Sequence, residues 1–362
     1  MNVKLFCHSL VSDWNHGNAH FLRGVMRELK RRGHEVDVFE PADGWSRSNL
    51  VAEAGPEAIE EFHAAFPELR SRTYELRDLD VARELAHADL VLVHDWNEAW
   101  LVAAIGAHHR RHGGYILLFY DAHHRAASSP GQIEAFDLSG YDAVLVFGAV
   151  LRDLYLEQGW AARVYVWHEA ADTELFRPLD GVAKRADLAW VGNWGDGERS
   201  SELREFLLGP ARALGLSGHV YGVRYPPSAA HAVQDAGLTL EGWLPNYRVP
   251  RIFAEHRVTV HVPRRAYVRR VPGVPTIRVF EALACAIPLV CSPWEDREGL
   301  FRPGRDFLMA QDSAEMAAQL KRLLDDPDFA AQIAASGLEQ IRARHTCAHR
   351  VDELLAIHEE LV

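Results

Sequence analysis

Polar and apolar positions along the chain form two recurring patterns, short continuous apolar runs and longer stretches with a helical period. Residues 3–7 are an apolar run with strand character, ending in a polar loop over 8–17. Phe21, Leu22, Val25, Met26 and Leu29 then fall at i, i+1, i+4, i+5 and i+8, which predicts a helix with one apolar stripe. Lys30, Arg31 and Arg32 close that stripe, where cations suit the negative end of the helix dipole, and Gly33 stands at the left-handed stop. Residues 35–39 read as a second strand. Strand, helix and strand joined by short connections make a βαβ unit, whose sheet is parallel.

The unit recurs. Residues 89–94, 115–119, 143–147 and 164–167 are further apolar runs, as expected of strands buried on both faces. The pattern breaks at the polar, proline-ended stretch 172–178. A second series follows, with strands at 187–192, 219–222, 258–262 and 288–291 and helices at 200–214, 276–286, 312–325 and 327–344. Residues 347–362 form a last amphipathic helix. The expected architecture is α/β, with two doubly wound domains facing each other. The boundaries are 1–172 for the first domain, 173–186 for a linker, 187–346 for the second domain and 347–362 for a terminal helix. Open sheets of this kind bind ligands at the C-terminal ends of their strands.

Composition narrows the function. The 362 residues allow two domains, and 48% hydrophobic with 25% charged residues excludes wholesale disorder. Lys and Arg number 39 against 51 Asp and Glu, a net charge of −12 that repels a polyanion, so no nucleic-acid partner is expected. No apolar stretch approaches the roughly 20 residues of a membrane span. The N-terminus turns polar at His8, too early for a secretory signal. Cys7, Cys285, Cys291 and Cys347 lack zinc-ligand spacing and read as reduced core thiols. A cytoplasmic protein of unspecified oligomeric state is expected.

The chemistry concentrates after the 258–262 strand. From Arg264 to Arg278 there are five arginines and no acid, running through a Pro/Gly loop into a helix that starts near Thr276. Unpaired N–H groups at a helix start, joined by guanidinium donors, suit a diphosphate. A solvated basic loop neutralising nearby acids fits the composition equally. Glu281, near the second turn, suits ribose hydroxyls, or simply pairs with Arg278 at i, i+3.

Residues 276–290 (TIRVFEALACAIPLV) resemble the donor-site helix of GT-B glycosyltransferases. The tail 344–355 (RHTCAHRVDELL) is similar to the C-terminal signature of their CgeB-like, spore-maturation-protein branch within the group 1 enzymes. Residues 33–36 (GHEV) and 171–178 (ADTELFRP) also match GT-B enzymes, so the resemblance spans essentially the whole chain. It implies two Rossmann-like domains across a cleft, with the C-terminal helix packing back on the N-terminal domain. It also implies a nucleotide diphosphate sugar held by the C-terminal domain. Glu281 matches the family's ribose-binding glutamate, and Thr276, Ile277 and Arg278 match its diphosphate-binding helix start. Gly192, Asn193, Trp194 and Arg199 resemble the other phosphate-facing loop, while residues 222–225 and 242–246 stand where nucleobase loops do. Arg264 and Arg278 would stabilise the leaving diphosphate.

Two departures stand out. Retaining relatives carry a Glu-x7-Glu pair whose second member matches Glu281, whereas this chain has Gly273 at the first position. Ala286 also stands where the family has glycine. In the N-terminal half, His16-Gly17-Asn18 resembles the glycine loop facing the transferred sugar. His94, Asp95, Asp121, His123 and His124 follow other strands, and His168 precedes the linker. An inverting transfer needs a base for the acceptor hydroxyl, and His16 and Asp121 are the candidates. No metal ligand pair is evident, and no cofactor beyond the nucleotide-sugar co-substrate is expected. The resulting expectation is a metal-independent glycosyltransferase acting on a glycan, glycoprotein or small-molecule hydroxyl. A nucleotide-sugar 2-epimerase and a degenerate nucleotide-sugar-binding or partner-binding module are the alternatives.

Overall fold

The computed structural model describes residues 1–195 and 197–362. The chain divides into two compact units, residues 1–169 with 347–362, and residues 170–346.

In the first unit β1 (Asn2–Phe6), β2 (Glu35–Pro41), β3 (Ser71–Tyr74), β4 (Leu90–His94), β5 (Ile116–Asp121), β6 (Ala143–Val146) and β7 (Val164–Val166) form one sheet. Its order is β3-β2-β1-β4-β5-β6-β7 and every neighbouring pair is parallel. β4, β5 and β6 are buried along their whole length, as their unbroken apolar sequences require. The first helix, Ala19–Arg31, buries Phe21, Leu22, Val25, Met26 and Leu29. It stops at Gly33 (φ 84°), where the Gly33 and His34 N–H groups donate to the carbonyls of Lys30 (2.9 Å) and Leu29 (3.1 Å). The terminal helix, Cys347–Leu361, packs on this unit. Arg32 donates to the Ala348 carbonyl at 3.1 Å and pairs with Asp352, and Trp167 Nε1 donates to the Arg350 carbonyl at 2.8 Å.

The second unit repeats the plan with β8 (Ala186–Val191), β9 (Gly218–Tyr221), β10 (Leu238–Gly242), β11 (His256–His261), β12 (Leu289–Cys291) and β13 (Leu308–Met309). The order is β10-β9-β8-β11-β12-β13, again parallel. Leu188, Trp190, Val220, Val258, Val260 and Val290 build its core with Met316, Leu320 and Leu323 of the Ser313–Asp325 helix. Residues 173–186 lie within this unit.

Sequence pattern misses β3, β10 and β13, and all three lie at sheet edges. An edge strand is stabilised by backbone pairing on one side and needs no continuous apolar run. β3 reads SRTY with one buried residue, and β13 has only two residues. The helix expected over 200–214 is also interrupted. It runs as Ser200–Leu203, a π-helical turn at Arg204–Leu208, then Gly209–Leu214. Pro210 lacks the N–H that a regular ladder would use, and the widened turn absorbs the break. All four cysteines are buried free thiols.

Candidate active site

Because every strand pair is parallel, each sheet gathers its strand C-termini along one edge. In the first unit that edge carries His8 after β1, His94 and Asp95 at the end of β4, and Asp121 to Arg125 at the end of β5. The loop bearing His16 is fastened from beneath by two buried charges. Glu40, on β2, accepts from Ser9 Oγ and Leu10 N–H, both at 2.7 Å. Arg23, on the first helix, donates to the carbonyls of Leu10 and Val11 at 2.8 Å and pairs with Asp13 at 2.8 Å. Multiple charge-assisted bonds of this kind fix backbone geometry.

On that loop His16 is buried, hydrogen-bonded to the Ser9 backbone, and its Nε2 has no partner. Its ring lies 5.4 Å from His8 and 6.0 Å from His94, edge-on to both. Burial, followed by the neighbouring His8 and His94, holds its pKa well below 6.5, so the neutral imidazole dominates at neutral pH. Asp121 is placed differently. It is fully buried, its Oδ2 accepts from the Tyr155 hydroxyl at 2.8 Å and its Oδ1 from the His123 N–H at 3.0 Å. Burial and then the Asp95 carboxylate raise its pKa to about 7. Asp95 is held by Arg125, which also donates to the Asp95 carbonyl at 2.7 Å, and its Oδ1 lies 3.4 Å from His94 Nε2. The structure thus separates the two candidate bases: the buried His16 Nε2 has no hydrogen-bond partner, whereas both Asp121 oxygens accept internal hydrogen bonds.

Gly17 is exposed, while Asn18 donates to the Tyr120 hydroxyl (3.1 Å) and to Glu169 (2.9 Å), tying the helix start to the strand ends. His168 is half-buried on the loop after β7. His8, Arg125 and Tyr155 were not singled out from sequence. His8 follows a predicted strand and so carried the same signal as His94.

In the second unit the loop after β8 is shaped by backbone carbonyls. Arg199 donates to the Asn193 carbonyl at 2.5 and 3.1 Å and to the Val262 carbonyl at 3.0 Å, bridging the loops after β8 and β11. Burial, then Arg264 and Arg278, lowers its pKa to about 10. Asn193 Oδ1 accepts from the Val223 N–H at 2.9 Å, and the Gly192 carbonyl accepts from Tyr225 (2.8 Å) and Trp190 (3.0 Å). Gly222 has to be glycine here, since a Cβ on it would stand 2.2 Å from the Gly192 carbonyl oxygen. Trp194 is buried in the core.

The Ile277–Ala284 helix begins at Thr276, which makes no side-chain cap. The Thr276 hydroxyl instead shares a 3.0 Å hydrogen bond with Nε2 of His261, the buried last residue of β11. Burial, with Arg199 and Arg278, lowers the His261 pKa to about 3, and its Nδ1 has no partner. An uncapped helix start next to a neutral imidazole and two guanidinium groups is an anion-binding arrangement. Glu281 is fully buried. Asn246, after β10, donates to its Oε1 at 2.6 Å, and Arg278 pairs with its Oε2. The i, i+3 pair is therefore formed. Arg264 pairs with Glu198 at 3.0 Å and Arg265 with Glu202 at 2.8 Å. The basic loop thus neutralises local acids through Arg264 and Arg265, while Arg278 faces the helix glutamate. His261 and Asn246 complete this cluster; from sequence His261 reads only as part of a strand, and Asn246 as the end of a stretch standing where nucleobase loops do. Among the described residues no group of three His, Cys, Asp or Glu side chains is gathered as for a metal ion.

Gly273, where the resemblance expects the first carboxylate, has φ +100°, and a Cβ there would stand 3.0 Å from Arg297 Cβ. This backbone disfavours glutamate. Ala286 adopts φ 52° and ends the helix, with the Ile287 N–H donating to the Ala282 carbonyl at 3.3 Å.

The profile of Glycosyltransferase Family 4 matches residues 17–175, and that of a Glycosyl transferase-like family matches residues 199–356. The chain belongs to the group 1 GT-B glycosyltransferases. Solved structures share the fold of this glycosyltransferase over its whole length. Anabaena HepE in complex with UDP and glucose aligns with TM-score 0.69 at 14% identity, covering 99% of both chains. Sucrose-phosphate synthase from Thermosynechococcus elongatus aligns with TM-score 0.66 at 15% identity, covering 100% of this chain and 99% of the other. T4 phage BGT in complex with UDP-glucose aligns with TM-score 0.59 at 12% identity, with the same coverage. No curated protein matches the glycosyltransferase. No helix among its described residues is long and apolar enough to cross a membrane.

Proposed function

We propose that this enzyme transfers a sugar from a nucleotide diphosphate sugar to a hydroxyl acceptor, without a resident metal and in the cytoplasm. The observation that carries the donor class is the uncapped start of the Ile277–Ala284 helix beside His261, Arg199 and Arg278. Those groups supply hydrogen-bond donors and positive charge where a leaving diphosphate gains negative charge. HepE solved with UDP and glucose, and the phage enzyme solved with UDP-glucose, support the same donor class. Glu281, oriented by Asn246, would accept from ribose hydroxyls.

In the step itself the acceptor oxygen forms a bond to the anomeric carbon as the bond from that carbon to the diphosphate oxygen breaks. The acceptor proton passes to His16 Nε2, and the nucleoside diphosphate leaves. The absence of a carboxylate at Gly273 and the unpartnered Nε2 of neutral His16 favour inversion. The tail over 344–355 supports the CgeB-like branch and, with it, a surface glycan or glycoprotein as acceptor.

A thermal-shift panel with UDP, GDP, TDP, ADP and CDP tests the donor. A ligand at about 100 times its Kd adds roughly 2.7 kcal/mol of stability. One nucleotide should stand out and lose its effect in Glu281→Ala, with EDTA making no difference. A flat panel on folded protein overturns the donor assignment, and a response that needs Mn2+ overturns metal independence. Sugar leaving the nucleotide only when acceptor is present separates transfer from 2-epimerisation.

A further inference from the structure

Three of the large apolar side chains exposed on this protein are tryptophans in the N-terminal unit: Trp45, Trp96 and Trp100. Trp45 is 45% exposed and Trp96 is 42% exposed, and they follow β2 and β4, on the strand-end edge that carries His16. They flank one imidazole. The His8 ring lies 6.3 Å from Trp45 at an interplanar angle of 34°, and 5.9 Å from Trp96 at 44°. His8 in turn meets His16 edge-on at 5.4 Å. Two half-exposed indoles and an imidazole thus form a continuous ring surface leading to the proposed base.

Packing has set this surface in place. Trp45 stands edge-on to the buried Trp14 at 5.0 Å. The Arg125 guanidinium lies 3.9 Å over the Trp96 ring, and the same Arg125 is anchored on Asp95. His8 Nε2 accepts from the Ser46 N–H at 3.3 Å. Two tryptophans left half in water keep apolar ring surface uncovered, which marks such rings as contact sites. Their neighbours decide what kind. An aryl or lipid acceptor gains most from an enclosed apolar pocket, but the rings here are bordered by imidazoles and a guanidinium. Flat indole faces beside polar edges match a pyranose, which has a C–H face to stack and a rim of hydroxyls to hydrogen-bond.

We infer that Trp45, His8 and Trp96 form an acceptor subsite for a saccharide, stacked on the rings that border the buried His16 through His8. This rests on the transferase reading for its catalytic meaning, but the binding surface is testable alone.

The test is 19F NMR of the full chain labelled with 5-fluorotryptophan, the Trp45 and Trp96 resonances being assigned from their loss in Trp45→Phe and Trp96→Phe. The probes are maltose, cellobiose and chitobiose, and separately 4-nitrophenol, each with and without saturating UDP. At least one disaccharide should shift both resonances saturably in the millimolar range, and 4-nitrophenol should not. In transfer assays with the donor found above, Trp96→Ala should raise acceptor KM about tenfold with donor KM unchanged, and Trp96→Phe should restore most of it. Resonances that move with 4-nitrophenol alone, or with no probe, overturn the saccharide subsite. Disaccharide shifts in a protein that binds no nucleotide would retain the subsite and overturn the transferase reading instead. Nucleotide binding with unmoved tryptophans would do the reverse.

Discussion

Asn246 donates its Nδ2 to Glu281 Oε1 at 2.6 Å, across 35 residues, on the side of the carboxylate opposite Arg278. Both oxygens of a fully buried carboxylate are therefore held, which fixes Glu281 in one orientation. Removing one partner of a buried hydrogen-bonded charge leaves it under-solvated, at roughly 1–3 kcal/mol. Asn246→Ala should destabilise the protein by about that amount in urea denaturation and weaken nucleotide binding in calorimetry. Unchanged nucleotide affinity would separate the pair from the donor site.

His16→Ala should lower kcat by roughly 10²–10⁴-fold, the usual contribution of a general base, while nucleotide affinity stays unchanged. Asp121→Asn should lower it far less, because both Asp121 oxygens face Tyr155 and the His123 N–H. A larger loss in Asp121→Asn than in His16→Ala would assign the proton to Asp121 instead.

Stability should fall as pH drops below 6.5. Burial lowers His8 and His256 to about 4 and His261 to about 3, so the unfolded chain takes up protons that the folded one refuses. The loss continues until pH reaches those lowered values. Asp121 acts with the opposite sign, since its folded pKa of about 7 exceeds the ordinary 3.8. Its contribution is complete below 3.8 and is lost as pH rises through 7. Relative to wild type, Asp121→Asn should therefore gain stability as pH rises from about 4 to 7 and level off above that, measured by chemical denaturation at each pH. A pH-independent difference would refute the raised pKa.

Ala286 sits in the left-handed region at φ 52°, where a Cβ costs roughly 1–2 kcal/mol. Ala286→Gly should raise stability by about 1 kcal/mol in denaturant, offset in part by the greater freedom of unfolded glycine. No change would mean that the turn relaxes around alanine.

Gly273→Glu should not restore a second catalytic carboxylate. With φ +100° and Arg297 Cβ 3.0 Å from the added Cβ, it should lower the melting temperature and leave the stereochemistry of the product unchanged. A folded variant that switches from inversion to retention would contradict this.

The sequence by itself determined the buried half of the architecture. Strands such as β4 and β5 are covered on both faces, so their composition alone marks them, and the periodic stripe from Phe21 to Leu29 ends at Gly33 as read. The Ile277–Ala284 helix was legible for the same reason, because its apolar face and its start follow local rules. Tertiary structure decided the rest. β3, β10 and β13 are edge strands whose pairing is set by a neighbour rather than by their own residues. Asn246 meets Glu281, and His261 meets Thr276, only because parallel strands bring their C-termini to one edge. The difference between His16 and Asp121 is likewise a matter of partners: two acid–base side chains alike in sequence terms part company once Tyr155 and the His123 N–H reach one of them. Burial and hydrogen-bond partners depend on residues distant in the chain, and local pattern carries no record of them.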